Sequence, residues 1–359
     1  MIDEKGLFNL EGLLQLEIMG VPFGYKSNSN PQNKTKDLVV IPYPDQAEEF
    51  YEGTKVFSYE TLQLLQSKFY FGINQRSQMI EVLYNTFEDL FNKEDKEIDD
   101  FLTLQVLYSE MILKLGTILE DFAGMCFACR EYKINQSDIA RTFLSYSDPI
   151  SFYESINSKN GKRKIKQIFD LPESKGQIKK LINNTTDDEV EVVWKAVQKS
   201  TELFEDKLKF ICSAIVRNSR EDMTCYDMYN KIKHGFSPVY PFVTPVPMPI
   251  GGLNENVPTE EIIYKFFFES IMIMHNQLGQ QDPDPAYTYQ EINLTTAQDI
   301  REVVRDISFL YKHLMKKYLR IAENNKEIYL LLSEGQLTEE EKQQVFSIIT
   351  DKDRYIFEE

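Results

Sequence analysis

Glycine and proline are scarce in this 359-residue chain, at 15 and 14. An all-β sandwich needs a turn former about every ten positions, so the scarcity disfavours one and suits long helices with few breaks. There is no Gly-x-Ser-x-Gly, no Gly-x-x-x-x-Gly-Lys and no Gly-x-Gly-x-x-Gly, which removes the usual hydrolase elbow and the usual phosphate loops. A long apolar run is also missing. The greasiest stretch, "YKFFFESIMIMHNQL", is cut by Glu269 and falls short of the roughly 20 residues a bilayer requires, so no membrane span is expected. The start, "MIDEKGLFNLEGL", carries acids where an export signal has bases, and a cytoplasmic address is expected. Without export, the Asn33 to Thr35 and Asn293 to Thr295 triplets read as chance matches to a glycosylation site.

Metal ligands are few. The histidines are His234, His275 and His313, and the positions three before them hold Lys231, Met272 and Leu310 rather than the Glu of a di-iron bundle. His275, in "IMIMHNQ", reads as a core histidine, and His313, in "LYKHLMKK", as a helix-flank residue. Cys126 and Cys129 form "CFAC" inside a helical pattern with no second pair, so they and Cys212 and Cys225 read as structural thiols. No metal and no cofactor is expected.

What is abundant is apolar and acidic. Hydrophobic residues make up 42% and aromatics 13%, enough to build a core in one large or two ordinary domains. The net charge of −17 repels a polyanion at long range, so any RNA or nucleotide contact must be local. The one basic island, Lys159 to Lys180, holds eight bases and two acids. It is either a solvated helix face or a phosphate-binding patch.

No period of about 20 to 50 residues repeats, which argues against a solenoid. Residues 1–46, broken by Gly20, Gly24, "SNSNPQNKTKD" and "PYPD", read as an irregular or extended segment. Residues 47–359 read as a single all-α domain, a multi-helix bundle, interrupted by a Pro-rich loop over 237–258. Thr186 and Glu189 form a capping box ahead of a long helix whose stripe runs Val190, Val193, Trp194, Val197, Phe204, Leu208, Ile211 and Ile215. Trp194 is expected to be core. A second helix is expected to start at Thr296 and Asp299, with a seam of Ile300, Val304, Ile307, Tyr311, Leu314, Tyr318 and Ile321. A third carries Leu104, Tyr108, Met111, Leu115, Ile118 and Phe122. Further helices are expected from Tyr59 to Phe91, from Thr259 to Leu278, and after Thr338, where Glu341 completes another box.

The strongest chemical lead is "YNKIKHGF", Tyr229 to Phe236. Lys231, Lys233 and His234 suit the last turn of a helix, Gly235 suits its C′ position, and Pro238 follows as a stop. The octapeptide also resembles the Arg-Asn-x-x-x-His-Gly-Tyr signature of the HEPN superfamily, helical-bundle proteins that include RNA-cleaving toxins and defence factors. Asn230, His234 and Gly235 match at the family's spacing, while Tyr229 stands where the family has Arg and Phe236 where it has Tyr. The resemblance implies a HEPN-like core, a cleft formed by two protomers, and metal-free RNA cleavage with His234 and Asn230 at the site. Tyr229 is neutral near pH 7 and offers no fixed cation to a phosphate, which leaves Lys231, Arg217 or Arg220 as stand-ins.

Three functions follow. One is a HEPN-like protein without RNase chemistry, acting through a homodimer, a protein partner, or local RNA or nucleotide binding. Another is an active RNase using His234. The last is a structural module that presents the Pro-rich loop to a partner.

Overall fold

The computed structural model describes residues 7–9, 17–18, 21–29, 36–42, 56–69, 73–182, 184–219, 223–233, 268–276, 285–323, 330–333, 337–350 and 355–358. His234, Gly235, Phe236 and the Pro-rich loop lie outside them, as does Arg220. Eleven helices carry most of the described residues. They are α1 (Tyr59–Ser67), α2 (Ile73–Phe91), α3 (Ile98–Asn135), α4 (Ile139–Ser145), α5 (Pro149–Ile156), α6 (Gly161–Ile168), α7 (Lys175–Leu181), α8 (Asp187–Ser213), α9 (Cys225–Ile232), α10 (Leu294–Glu323) and α11 (Glu339–Thr350). Among the described residues no helix is long and apolar enough to cross a membrane.

Helix α3 is the spine. Its 38 residues extend about 57 Å at 1.5 Å per residue, and α2, α4, α5, α6, α9 and α10 all pack on it. It begins with a capping box in which the Glu97 and Asp100 side chains satisfy each other's backbone N–H groups. It ends at Gln136, whose φ of 55° closes the helix in the left-handed region. Leu104, Tyr108, Met111, Leu115, Ile118 and Phe122 are all buried, as are Cys126 and Cys129. Burial pushes both thiols well above their ordinary range, which keeps them inert.

Helix α8 opens on Thr186 and Glu189, which cap each other reciprocally. Its stripe is buried from Val190 to Ile211 with one exception. Trp194, expected in the core, is only partly buried and carries Lys166 over its ring at 4.2 Å. The aromatic that fills the core is Phe204, fully buried, with Phe169 at 4.4 Å and His313 at 4.7 Å between ring centroids. His313 is therefore an interior ring rather than a helix-flank residue. Its partners are contributed from other helices, which the local pattern of "LYKHLMKK" does not reveal.

Helix α10 buries the expected seam from Ile300 to Tyr318, but it starts two residues early. Asn293 is the residue that caps it, its Oδ1 accepting from the Thr296 N–H at 2.9 Å. Where α10 crosses α3 and the end of α6, Tyr318 donates to the carbonyls of Cys129 (2.9 Å) and Ile168 (3.2 Å). Lys317 is buried beside it, 3.1 Å from Asp170, which also accepts Lys133. Burial depresses the Lys317 pKa and Asp170 opposes that shift. The expected helix over Tyr59 to Phe91 is two helices, α1 and α2, and the sequence between them holds Gly72, a residue type that forms helix poorly. Thr338 and Glu341 cap α11 as expected.

The strands correct a further expectation. Ser270–Asn276, read as the end of a helix, is β5, paired antiparallel with β6 (Pro285–Glu291). Its four apolar residues, Ile271 to Met274, carry no decisive period, and β-branched Ile271 and Ile273 pair with a strand rich in Tyr and Thr, which favours extended pairing. Gln105 of α3 anchors β5 by donating to the Ser270 carbonyl at 2.9 Å. Near the N-terminus β1 (Leu7–Asn9), β2 (Glu17–Ile18) and β4 (Lys36–Pro42) all pair antiparallel with β3 (Val21–Ser29), and β7 (Leu330–Ser333) pairs parallel with β8 (Tyr355–Glu358).

These packing differences order two substitutions. Phe204→Ala is expected to cost about 3 to 5 kcal/mol, a full core truncation. Trp194→Ala should cost clearly less, because its ring is partly solvated already. Urea unfolding of the two variants checks the order, and a larger loss for Trp194→Ala would contradict it.

Candidate functional site

Helix α9 carries the first half of the octapeptide, and its position is fixed from its N-terminus. Thr224 and Asp227 form a capping box: the Thr224 N–H donates to Asp227 at 3.0 Å and the Asp227 N–H returns to the Thr224 hydroxyl at 3.1 Å. The same carboxylate receives Arg217 from the chain after α8, with Nε at 2.9 Å. Burial would raise the Asp227 pKa, but the Arg217 and Thr224 hydrogen bonds outweigh it and hold the carboxyl below its ordinary value. Arg217 is thus committed to the cap and is not brought to the octapeptide's end as a stand-in cation.

The face of α9 that meets α3 presents Tyr226 and Tyr229, with ring centroids 5.5 Å apart. Tyr229 lies directly against the α3 backbone at Gly116, where an added Cβ would stand 2.0 Å from the ring's Cγ. Only glycine admits the ring at that distance. One turn further along α3, Glu120 collects both phenols: Oε1 accepts from Tyr226 at 2.9 Å and Oε2 from Tyr229 at 3.1 Å. Lys233 closes the group, 3.4 Å from Glu120 and 4.5 Å above the Tyr229 ring.

Burial pushes the Tyr229 pKa up to about 12, the Glu120 charge adds to it, and Arg76 pulls weakly the other way. Tyr226 is raised further, also by burial first and Glu120 second. Both phenols are therefore neutral donors at pH 7. Asp121, the neighbour of Glu120, faces a different set. It pairs with Lys68 and with Arg76 at 3.5 Å, and accepts from the Tyr311 hydroxyl at 3.3 Å.

Of the expected site residues, Asn230 is half-buried on α9, one turn after Tyr226. Lys231 is half-buried in the last turn of α9, and Lys233 is the C-cap, its N–H donating to the Tyr229 carbonyl at 3.0 Å. His234, the residue after the cap, lies outside the described residues. Sequence reasoning missed Glu120, Gly116 and Tyr226. The signal that marks them is Gly116 itself, since a glycine inside a long helix costs about 1 kcal/mol against alanine and is kept where a neighbour needs the space.

At an uncrowded helix position Gly→Ala is stabilising. Here Gly116→Ala is expected to destabilise by about 1 to 3 kcal/mol, because the methyl displaces the Tyr229 ring. In a Tyr229→Ala background the same substitution should become neutral or stabilising, giving a coupling of at least about 1 kcal/mol in a double-mutant cycle. Additive effects would show that the two residues do not share the space.

Comparison with family models, with curated proteins and with solved structures returns no match to this chain, so the likeness of "YNKIKHGF" to the HEPN signature stands on those residues alone.

Proposed function

We propose that this protein is a HEPN-like helical protein that does not cleave RNA and acts in the cytoplasm by binding, as a homodimer or with a protein partner. The hydrogen bond from Tyr229 to Glu120 carries this reading. Cleavage through a ribose hydroxyl needs positive charge on the phosphate as negative charge develops there. The family's Arg position instead holds a neutral phenol, buried and turned toward a carboxylate. Lys233 is drawn to that carboxylate and Arg217 to Asp227, so two of the nearby cations are already balanced. Removing one donor from such a site typically costs about 10²- to 10³-fold in rate. Cys126, Cys129, Cys212 and Cys225 are all unbridged, which suits a reducing compartment.

The test is incubation of purified protein with single-stranded RNA in the presence of a chelator. Intact RNA is expected. Tyr229→Arg is expected to stay inert as well, because Glu120 would pair with the new guanidinium before a phosphate could. Chelator-resistant cleavage by the wild type, lost in His234→Ala, would contradict the proposal and make Lys231 the working cation.

A further inference from the structure

Five of the eight bases of the basic island are engaged, four in ion pairs and one over an aromatic ring. Around α6 and α7, Lys162 reaches Glu205 at 3.2 Å and Arg163 reaches Glu173 at 2.8 Å, while Lys175 pairs with Glu191 and Lys179 with Asp187. Lys166 lies over Trp194. Lys164 is not among them: no described carboxylate lies within ion-pair distance of it, and it lines one cleft together with another cation, Arg130 of α3. Burial and then Arg130 both depress the Lys164 pKa. Two like charges held together in a half-buried place are stabilised when an anion sits between them.

There is room for one. A cleft of about 470 Å³ opens between α3, the turn joining α4 to α5, and α6, and both Arg130 and Lys164 line it. Arg130 is oriented by Gln167, whose Oε1 accepts from Nε at 3.1 Å, and more loosely by Glu131 at 3.4 Å. Opposite chemistry is supplied by hydroxyls, Ser147 and Ser151 among them, and by an aromatic wall of Phe127 and Tyr146, with ring centroids 4.9 Å apart. The Tyr146 hydroxyl is tied to the Asp148 carbonyl. Its ring stays close to α3 because Gly124 leaves the space, a Cβ there standing 3.3 Å from the ring. Among the described residues that line the cleft the one carboxylate is Asp148, which is engaged in capping α5 through the Ser151 N–H at 3.1 Å.

We propose that this cleft is a binding site for a nucleoside phosphate, the phosphate between Arg130 and Lys164 and the base against Phe127 and Tyr146. The proposal does not depend on how α9 is read. The volume falls within the roughly 300 to 1,000 Å³ of small-ligand sites. Arginine and lysine donors suit phosphate oxygens, and a flat apolar wall suits any base. A free nucleotide and the phosphorylated end of an RNA share this chemistry. The overall charge of −17 favours the small ligand, since a longer strand meets the protein's general repulsion.

Calorimetric titration of the full chain in phosphate-free, low-salt buffer tests the site. Adenosine 5′-monophosphate is expected to bind, with adenosine and inorganic phosphate each about tenfold weaker or more. Lys164→Gln should weaken the nucleotide about tenfold or more without lowering the melting temperature, because no ion pair is lost, and Lys164→Arg should retain binding. Tyr146→Leu should weaken it several-fold. A 5′-phosphorylated hexaribonucleotide that binds more tightly, with the same response to Lys164→Gln, would identify the RNA end as the source of the same ligand class. Absence of nucleotide binding at millimolar concentration, or binding indifferent to Lys164→Gln, would overturn the proposal. So would inorganic phosphate binding as tightly as the nucleotide.

Discussion

Glu120 and Asp121 are adjacent on α3, and successive residues of an α-helix point about 100° apart. One helix can therefore hold different neighbours with consecutive carboxylates. Glu120 receives Tyr226, Tyr229 and Lys233 from α9 and its cap. Asp121 receives Lys68 from the end of α1, Arg76 from α2 and Tyr311 from α10. The Asp121 side chain is 9% exposed and that of Glu120 37%, so the two contribute differently. Asp121 is an interior ion that needs its partners, since breaking such a pair leaves an uncompensated charge. Glu120 is nearer the surface, where a lone ion pair contributes little; its strength comes from accepting two phenols whose rings are packed into the core.

That arrangement places a carboxylate under the described half of the octapeptide. The end of α9 rests on Glu120, with Lys233 bound to the same carboxylate. The cleft beside α6 has the opposite character: Arg130 and Lys164 face it together, and the carboxylates of α8 engage Lys162, Lys175 and Lys179 elsewhere.

The helices were legible because their information is local. The stripes of α3, α8 and α10 repeat at helical spacing, and the boxes Thr186 with Glu189 and Thr338 with Glu341 announce helix starts within three residues. Other features depend on contacts distant in the chain. Tyr229 and Glu120 are separated by 109 positions, and nothing in "YNKIKHGF" says that the tyrosine finds a carboxylate rather than water. Trp194 and His313 were misplaced for the same reason: a stripe gives the face of a helix but not how far a neighbour covers it. The β5 strand failed differently, because its apolar run, Ile271 to Met274, is too short for period to decide and its partner strand decides instead. Lys164 was visible only as one base in a run, and its distinction is the absence of the partners its neighbours have.

The account depends most on Glu120 holding α9 to α3. Hydrogen exchange by mass spectrometry on wild type and Glu120→Leu compares the amides of α9 with those of α8 and α10. Loss of the acceptor leaves the Tyr226 and Tyr229 hydroxyls unpaired, and protection in α9 is predicted to fall while α8 and α10 keep theirs. Unchanged protection across α9 would show that Glu120 is a surface decoration and that α9 is held by other means.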